Sequence, residues 1–167
     1  MNTMTIVRST LAVLAIAASS VALANGNGFG RGQAPSHLEG SWLVKVQPVF
    51  CDTGAPRPVP AFDSLMTFGA GGTLIETTSM PAFALGQRSI GIGYWERTGR
   101  NSYDAVIQAF VQSTAGQYTR GTQRFEMAVT LVDANHWTTT ADVIFRDMAG
   151  NVIPPTGCMS ATAERMP

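Results

Sequence analysis

From residue 41 onward, apolar and polar positions alternate with a period near two, in short runs. In Ser41-Trp42-Leu43-Val44-Lys45-Val46 the residues Trp42, Val44 and Val46 share one face, because successive strand side chains point to opposite sides. Further runs occupy residues 62–68, 73–78, 90–98, 102–111, 123–132, 136–146 and 158–165. They are rich in β-branched and aromatic residues, which suit a pleated, half-buried surface. Gly69-Ala70-Gly71-Gly72, Gly99-Arg100-Asn101 and Asp133-Ala134-Asn135 read as hairpin turns. A turn at Ala149-Gly150-Asn151 and a break at Pro154-Pro155 precede the last run. No segment between residues 41 and 166 carries a convincing helical period. A helix-free meander must deal with its two edges, and closing into a barrel removes them. The predicted fold class is therefore all-β, a single antiparallel up-and-down barrel of about eight strands.

Residues 1–24 are patterned differently. Arg8 precedes an apolar run at residues 11–18 (LAVLAIAA), and Ala22-Leu23-Ala24 is a small-x-small site. That order predicts a secretory signal peptide over residues 1–24. The Gly-rich residues 25–37 are expected to form a flexible N-terminal arm, and residues 38–167 the barrel domain. Ser36-His37-Leu38-Glu39 has the spacing of a capping box and predicts one helical turn before the first strand. Beyond residue 24 no apolar stretch approaches the roughly 20 residues of a transmembrane helix. The expected location is periplasmic or secreted.

Charge narrows the choice of partners. Lys+Arg and Asp+Glu each number 11, so the formal charge is balanced. There is no basic run, which argues against nucleic acid. The two cysteines, Cys51 and Cys158, end the first strand region and open the last. In a closed meander those regions are neighbours, and export permits a disulfide between them. Such a bridge closes a loop of about 100 residues, worth up to ~4.7 kcal/mol in the chain-entropy model. The alternative is two unrelated buried thiols.

Gly40-Ser41-Trp42 matches the G-x-W that opens the first strand of lipocalins and related calycin barrels, and Arg165 lies on the last strand as their arginine does. From Leu38 to Met166 the chain resembles the compact lipocalin-like domains of exported bacterial proteins. The resemblance implies that Trp42 packs across the closed end of the barrel with Arg165 over its ring. That is a structural pair, with a cation–π contact worth roughly 0.5–2 kcal/mol.

Chemistry-bearing motifs are scarce. G-x-S-x-G, the P-loop, the dinucleotide fingerprint and C-x-x-C are all absent. His37 and His136 have no partners at zinc-ligand spacing. No catalytic residue, cofactor or metal is therefore predicted. His136, with Asp133 and Asp142 nearby in sequence, reads as a solvated turn residue. Glu96 and Arg97 are adjacent, so one of them faces inward if the barrel closes there. It would then anchor a ligand or pair with Arg124 or Glu126; the other reading leaves both solvated at the rim.

The hairpin over residues 90–111 holds the densest mix of aromatic, small and charged residues. Gly91 and Gly93, with Ala105 and Ala109 across the hairpin, are expected to leave volume for a ligand. The expected ligand-binding residues are Tyr94, Glu96, Tyr103, Ala105, Ile107 and Ala109. Tyr103, Ala105, Ile107 and Ala109 oppose Asp104, Val106, Gln108 and Phe110. Both faces carry apolar groups, so the alternation leaves the inward face open. Residues 80–88 (MPAFALGQR) are apolar for a loop, and either plug a barrel end or gate it. The expected function is non-catalytic binding of a small apolar ligand. The alternatives are a barrel enzyme of isomerase or cyclase type acting on a hydrophobic small molecule, and a filled barrel with a structural or interaction role. The sequence carries no signal of oligomeric state.

Overall fold

The structure, a computed structural model, describes residues 37–113 and 118–167. Eight strands follow one another: β1 (Gly40–Val49), β2 (Phe62–Gly69), β3 (Thr73–Thr78), β4 (Gly91–Arg97), β5 (Ser102–Gln112), β6 (Tyr118–Leu131), β7 (His136–Arg146) and β8 (Val152–Arg165). Each pairs antiparallel with the next, and β8 pairs with β1, so the sheet closes into a barrel in sequence order. Among the described residues no helix is long and apolar enough to cross a membrane.

Alternation decides what fills the barrel. On β1 the inward positions are Trp42, Val44 and Val46; on β2 they are Phe62, Ser64, Met66 and Phe68. On β5 the inward set is Tyr103, Ala105, Ile107 and Ala109, all buried. Asp104 and Gln108 on the opposite face carry groups that cost free energy away from water.

One end of the barrel is packed with aromatic rings. Trp42 meets Trp137 at 6.1 Å between centroids, Phe68 meets Trp137 at 6.0 Å and Trp95 at 6.1 Å, and Trp95 meets Tyr103 at 5.7 Å. All four contacts are edge-to-face, the arrangement that ring quadrupoles favour. Arg165 closes this end. Its Cζ lies 4.1 Å from the Trp42 ring centroid. Its Nε donates to Ala134 O at 2.8 Å, Nη1 to Glu39 O at 2.7 Å and Nη2 to His37 O at 2.8 Å. Trp42 Nε1 donates to Leu38 O at 2.9 Å. One guanidinium thus ties the start of β1, the β6–β7 turn and the tryptophan together. Gly40 is required beside it. Its φ is 123°, and a Cβ there would overlap Arg165 Nη1.

Cys51 and Cys158 form the disulfide, with Cα atoms 5.2 Å apart. The bridge lies at the other end of the β1–β8 seam, next to the Val49–Cys158 register pair.

Two expectations are corrected. The last strand was expected to start at Cys158, after the prolines. Instead β8 begins at Val152 and runs through Pro154 and Pro155. The β7–β8 register jumps from Phe145–Ile153 to Val143–Gly157, so the prolines occupy a bulge where no ladder donor is needed. The helical turn before β1 is not formed at His37 and Leu38, which make a bend, while Ser36 lies outside the described residues. Leu38 is instead held by burial and by its carbonyl bond from Trp42.

Replacing Trp42 with Ala is expected to cost ~3–5 kcal/mol, as for other fully buried aromatics. Arg165→Ala should cost less, and the two losses should be non-additive because the groups touch. Urea denaturation of both single variants and the double variant measures this; additive losses would mean that the guanidinium and the indole do not interact in solution.

Candidate functional site

The end of the barrel opposite the aromatic cluster is covered by the chain between β3 and β4. Met80 packs against the core. Residues 87–89 lie along β5: Gln112 N donates to Gln87 O at 2.6 Å, Ser89 N to Phe110 O at 3.0 Å, and Arg88 bridges to Val111. This attachment places the Arg88 side chain inside the barrel, where it is 4% exposed.

Arg88 meets two polar partners there. Glu76 shares the inward face of β3 with Leu74, and its Oε2 lies 2.8 Å from Arg88 Nη2, with the carboxylate 3% exposed. The contact is an ion pair not aligned as a hydrogen bond. Arg88 Nε donates to Oε1 of the fully buried Gln123 on β6 at 2.6 Å, and its Cζ lies 5.7 Å from the Phe125 ring centroid. Among the described residues Gln123 Nε2 has no hydrogen-bond partner. Ser64 Oγ donates to Thr78 Oγ1 at 2.9 Å on the neighbouring wall.

Burial pushes the Glu76 carboxyl above the usual carboxylate range. The Arg88 charge, and the polar groups of Arg88 and Ser64 close to the carboxylate, oppose that rise without cancelling it. Desolvation of both partners makes such a pair a poor source of stability compared with packed apolar side chains.

Beside the pair is an internal cavity of about 30 Å³. Val46, Phe62, Met66, Ile107, Met127 and Met159 are among its wall residues, and Glu76 borders it. Space of this size accommodates one or two water-sized groups, at 10–15 Å³ or more each.

The expected binding residues divide between the two sides of the wall. Tyr103, Ala105, Ile107 and Ala109 face inward, and of these Ile107 borders the cavity. Tyr94, at 55% exposure, and Glu96 lie on the outer face, so they do not line the interior. The reason is parity: Gly91, Gly93 and Trp95 take the inward positions of β4. Trp95 fixes this orientation by donating Nε1 to Gly69 O at 3.1 Å. Nor do the glycines leave free volume. A Cβ on Gly93 would overlap the Val106 carbonyl, and one on Gly91 would overlap Ile107 Cγ2 and Glu76 Oε2. They are small because neighbours approach closely.

An inward pairing of Glu96 or Arg97 with Arg124 or Glu126 is not formed. Arg124 pairs with Glu126 on the outer face at 2.7 Å. Arg97 donates to Gly99 O at 2.7 Å and to Arg100 O in the β4–β5 turn. His136 Nδ1 lies 2.9 Å from both Asp133 oxygens in an exposed turn. Among the described residues no three His, Cys, Asp or Glu side chains are grouped to hold a metal.

Glu76, Arg88 and Gln123 did not stand out in the sequence. The available signal was Glu76 two positions after Leu74 in a strand, which puts a carboxylate on whichever face Leu74 takes. Ile75 between them is also apolar, so the inward face stays ambiguous. No protein-family model matches this chain, and no curated protein matches it.

Glu76→Ala should destabilise the protein by ~3–5 kcal/mol, because Arg88 is left buried and unpaired. Replacing both, Glu76→Leu with Arg88→Met, should be neutral or stabilising by up to ~4 kcal/mol. The raised carboxyl also sets a pH dependence. The folded state holds the Glu76 proton more tightly than the unfolded chain, so this contribution is complete below the unfolded pKa. It is lost as pH rises from the ordinary glutamate range through the raised folded value. Denaturation across that window should show stability falling with pH relative to Glu76→Gln; parallel curves would contradict it.

Proposed function

We propose that this chain is an exported, lipocalin-like barrel that binds a small apolar ligand at its covered end without catalysis. The observation that carries the reading is the apolar cavity bordered by Glu76 of the buried Glu76–Arg88 pair. An ion pair costs free energy in such a place, and recognition of a polar group at one end of a ligand gives it a role there. Gln123 Nε2, buried without a partner among the described residues, adds a donor to the same cluster. Leu85 is fully exposed, while Met80 and residues 87–89 are anchored. That pattern supports a covering segment able to shift between its anchors.

A drug-sized ligand occupies roughly 300–1,000 Å³, so a cavity of about 30 Å³ takes only a few heavy atoms unless that segment moves. The same volume favours a second reading, a filled barrel with a structural or interaction role. Export is supported by the patterning of residues 1–24 and by the Cys51–Cys158 bridge, and a periplasmic or secreted location follows from that reading.

Titration with a fluorescent apolar probe separates the two readings. Saturable uptake is expected, and Ala141→Phe in the cavity wall should abolish it at an overpacking cost of ~1–3 kcal/mol. A protein that melts cooperatively yet shows no saturable uptake decides for the filled barrel.

A further inference from the structure

The outer wall of the barrel has two kinds of surface. On β6, β7 and β8 the mid-strand outward positions include the hydroxyls of Thr130, Thr138, Thr140, Ser160 and Thr162. β3, β4 and β5 carry the outward apolar side chains Ile75, Ile92, Tyr94, Val106 and Phe110, interspersed with Thr73, Thr77 and Gln108. Ile75 and Ile92 oppose each other in register, as do Tyr94 and Val106. Ile90 and Phe110 extend this surface toward the covered end, and the opposed pair Leu43 and Leu65 extends it across β2 to β1. Leu43, Leu65, Ile75, Ile90, Ile92, Tyr94 and Phe110 are each 44–63% exposed.

With about half of each such side chain in water, these residues present on the order of 700 Å² of apolar surface. The largest apolar patch on a typical monomer is ~300–600 Å², and a standard interface buries ~800 Å² per partner. Thr67, Thr73, Thr77 and Gln108 border its centre. Charges lie at its edges: Glu96 opposite Asp104 at one end, Arg124 against the Tyr94 hydroxyl and paired with Glu126 beside Val106, and the Lys45–Asp63 pair beyond Leu43 and Leu65. An apolar centre without charge, inside a hydrogen-bonding rim, is the anatomy of a protein interface.

We propose that the outer face of β3–β5 docks against the same face of a second copy of this chain. A two-fold contact places like against like, and this patch allows it because its centre carries no charge to repel its equivalent. Two twisted sheet faces pack ~10 Å apart with their side chains interdigitated. A bilayer surface fits less well. Faces that lie on membranes carry Lys and Arg, whereas the charges at the Tyr94 end of this patch include Glu96 and Asp104, and Arg124 is taken by Glu126. Strand addition is not available on this face, because β3, β4 and β5 each have both neighbours.

Sedimentation equilibrium on the disulfide-intact protein tests the proposal, with circular dichroism confirming the fold of each variant. The unmutated protein is expected to dimerise. Ile92→Glu should weaken self-association at least about 30-fold, the effect of a hot-spot position, while Thr138→Glu on the hydroxyl-rich wall should leave it unchanged. If Ile92→Glu fails to fold, Tyr94→Ser takes its place and is expected to weaken association in the same direction. A monomeric unmutated protein at high micromolar concentration overturns the proposal. So does a dimer that survives Ile92→Glu, and so does a monomer that sediments with phosphatidylcholine vesicles through this patch. The result is independent of whether the cavity binds a ligand.

Discussion

The β1–β8 ladder, running from Trp42–Arg165 to Val49–Cys158, turns a row of hairpins into a barrel. Without it β1 and β8 would each present an unpaired edge, and the inward side chains would have no opposite wall. The seam is secured at both ends by different chemistry. At one end Arg165 lies over Trp42 and bonds three backbone carbonyls. At the other, the Cys51–Cys158 bridge closes a loop of 107 residues, which in the chain-entropy model removes freedom mainly from the unfolded state. Between these clamps the register has little room to slip, because a one-residue shift would turn Trp42, Val44 and Val46 out to water.

Closure also divides the interior into two unlike ends. The aromatic end is filled by edge-to-face rings and capped by the Arg165 guanidinium, which bonds three backbone carbonyls. The covered end holds Glu76, Arg88 and Gln123 from three parts of the chain, with space beside them. Packing of the first kind favours a single rigid arrangement. The second places a desolvated ion pair and a buried amide beside a small apolar space. The glycines of β4 belong to this arrangement: Gly91 lets Glu76 and Ile107 approach, and Gly93 lets the β5 backbone approach.

Much of the fold was legible in the sequence. Alternation and turn residues located the strands, and the absence of helical period together with the edge problem argued for closure. Closure in turn made Cys51 and Cys158 neighbours, as their bridge in the structure requires. Side chains that share a face can be read from a period of two, but which face meets the core cannot be read where both carry apolar groups. On β4 the outward set includes Ile92 and Tyr94 while the inward set includes two glycines, so Tyr94 and Glu96 lie on the outer wall. Only Trp95, with its bond to Gly69 and its contacts with Phe68 and Tyr103, settles the parity of β4. The Glu76–Arg88–Gln123 cluster was hidden for a related reason. Its members come from a strand, a connection and a distant strand, and no local pattern predicts that closure will bring an arginine in a loop onto a carboxylate in the core. The sequence alone determined strands, turns and the pairs of residues that share a face; the closed tertiary structure decided which faces are buried, because burial depends on what the opposite wall supplies.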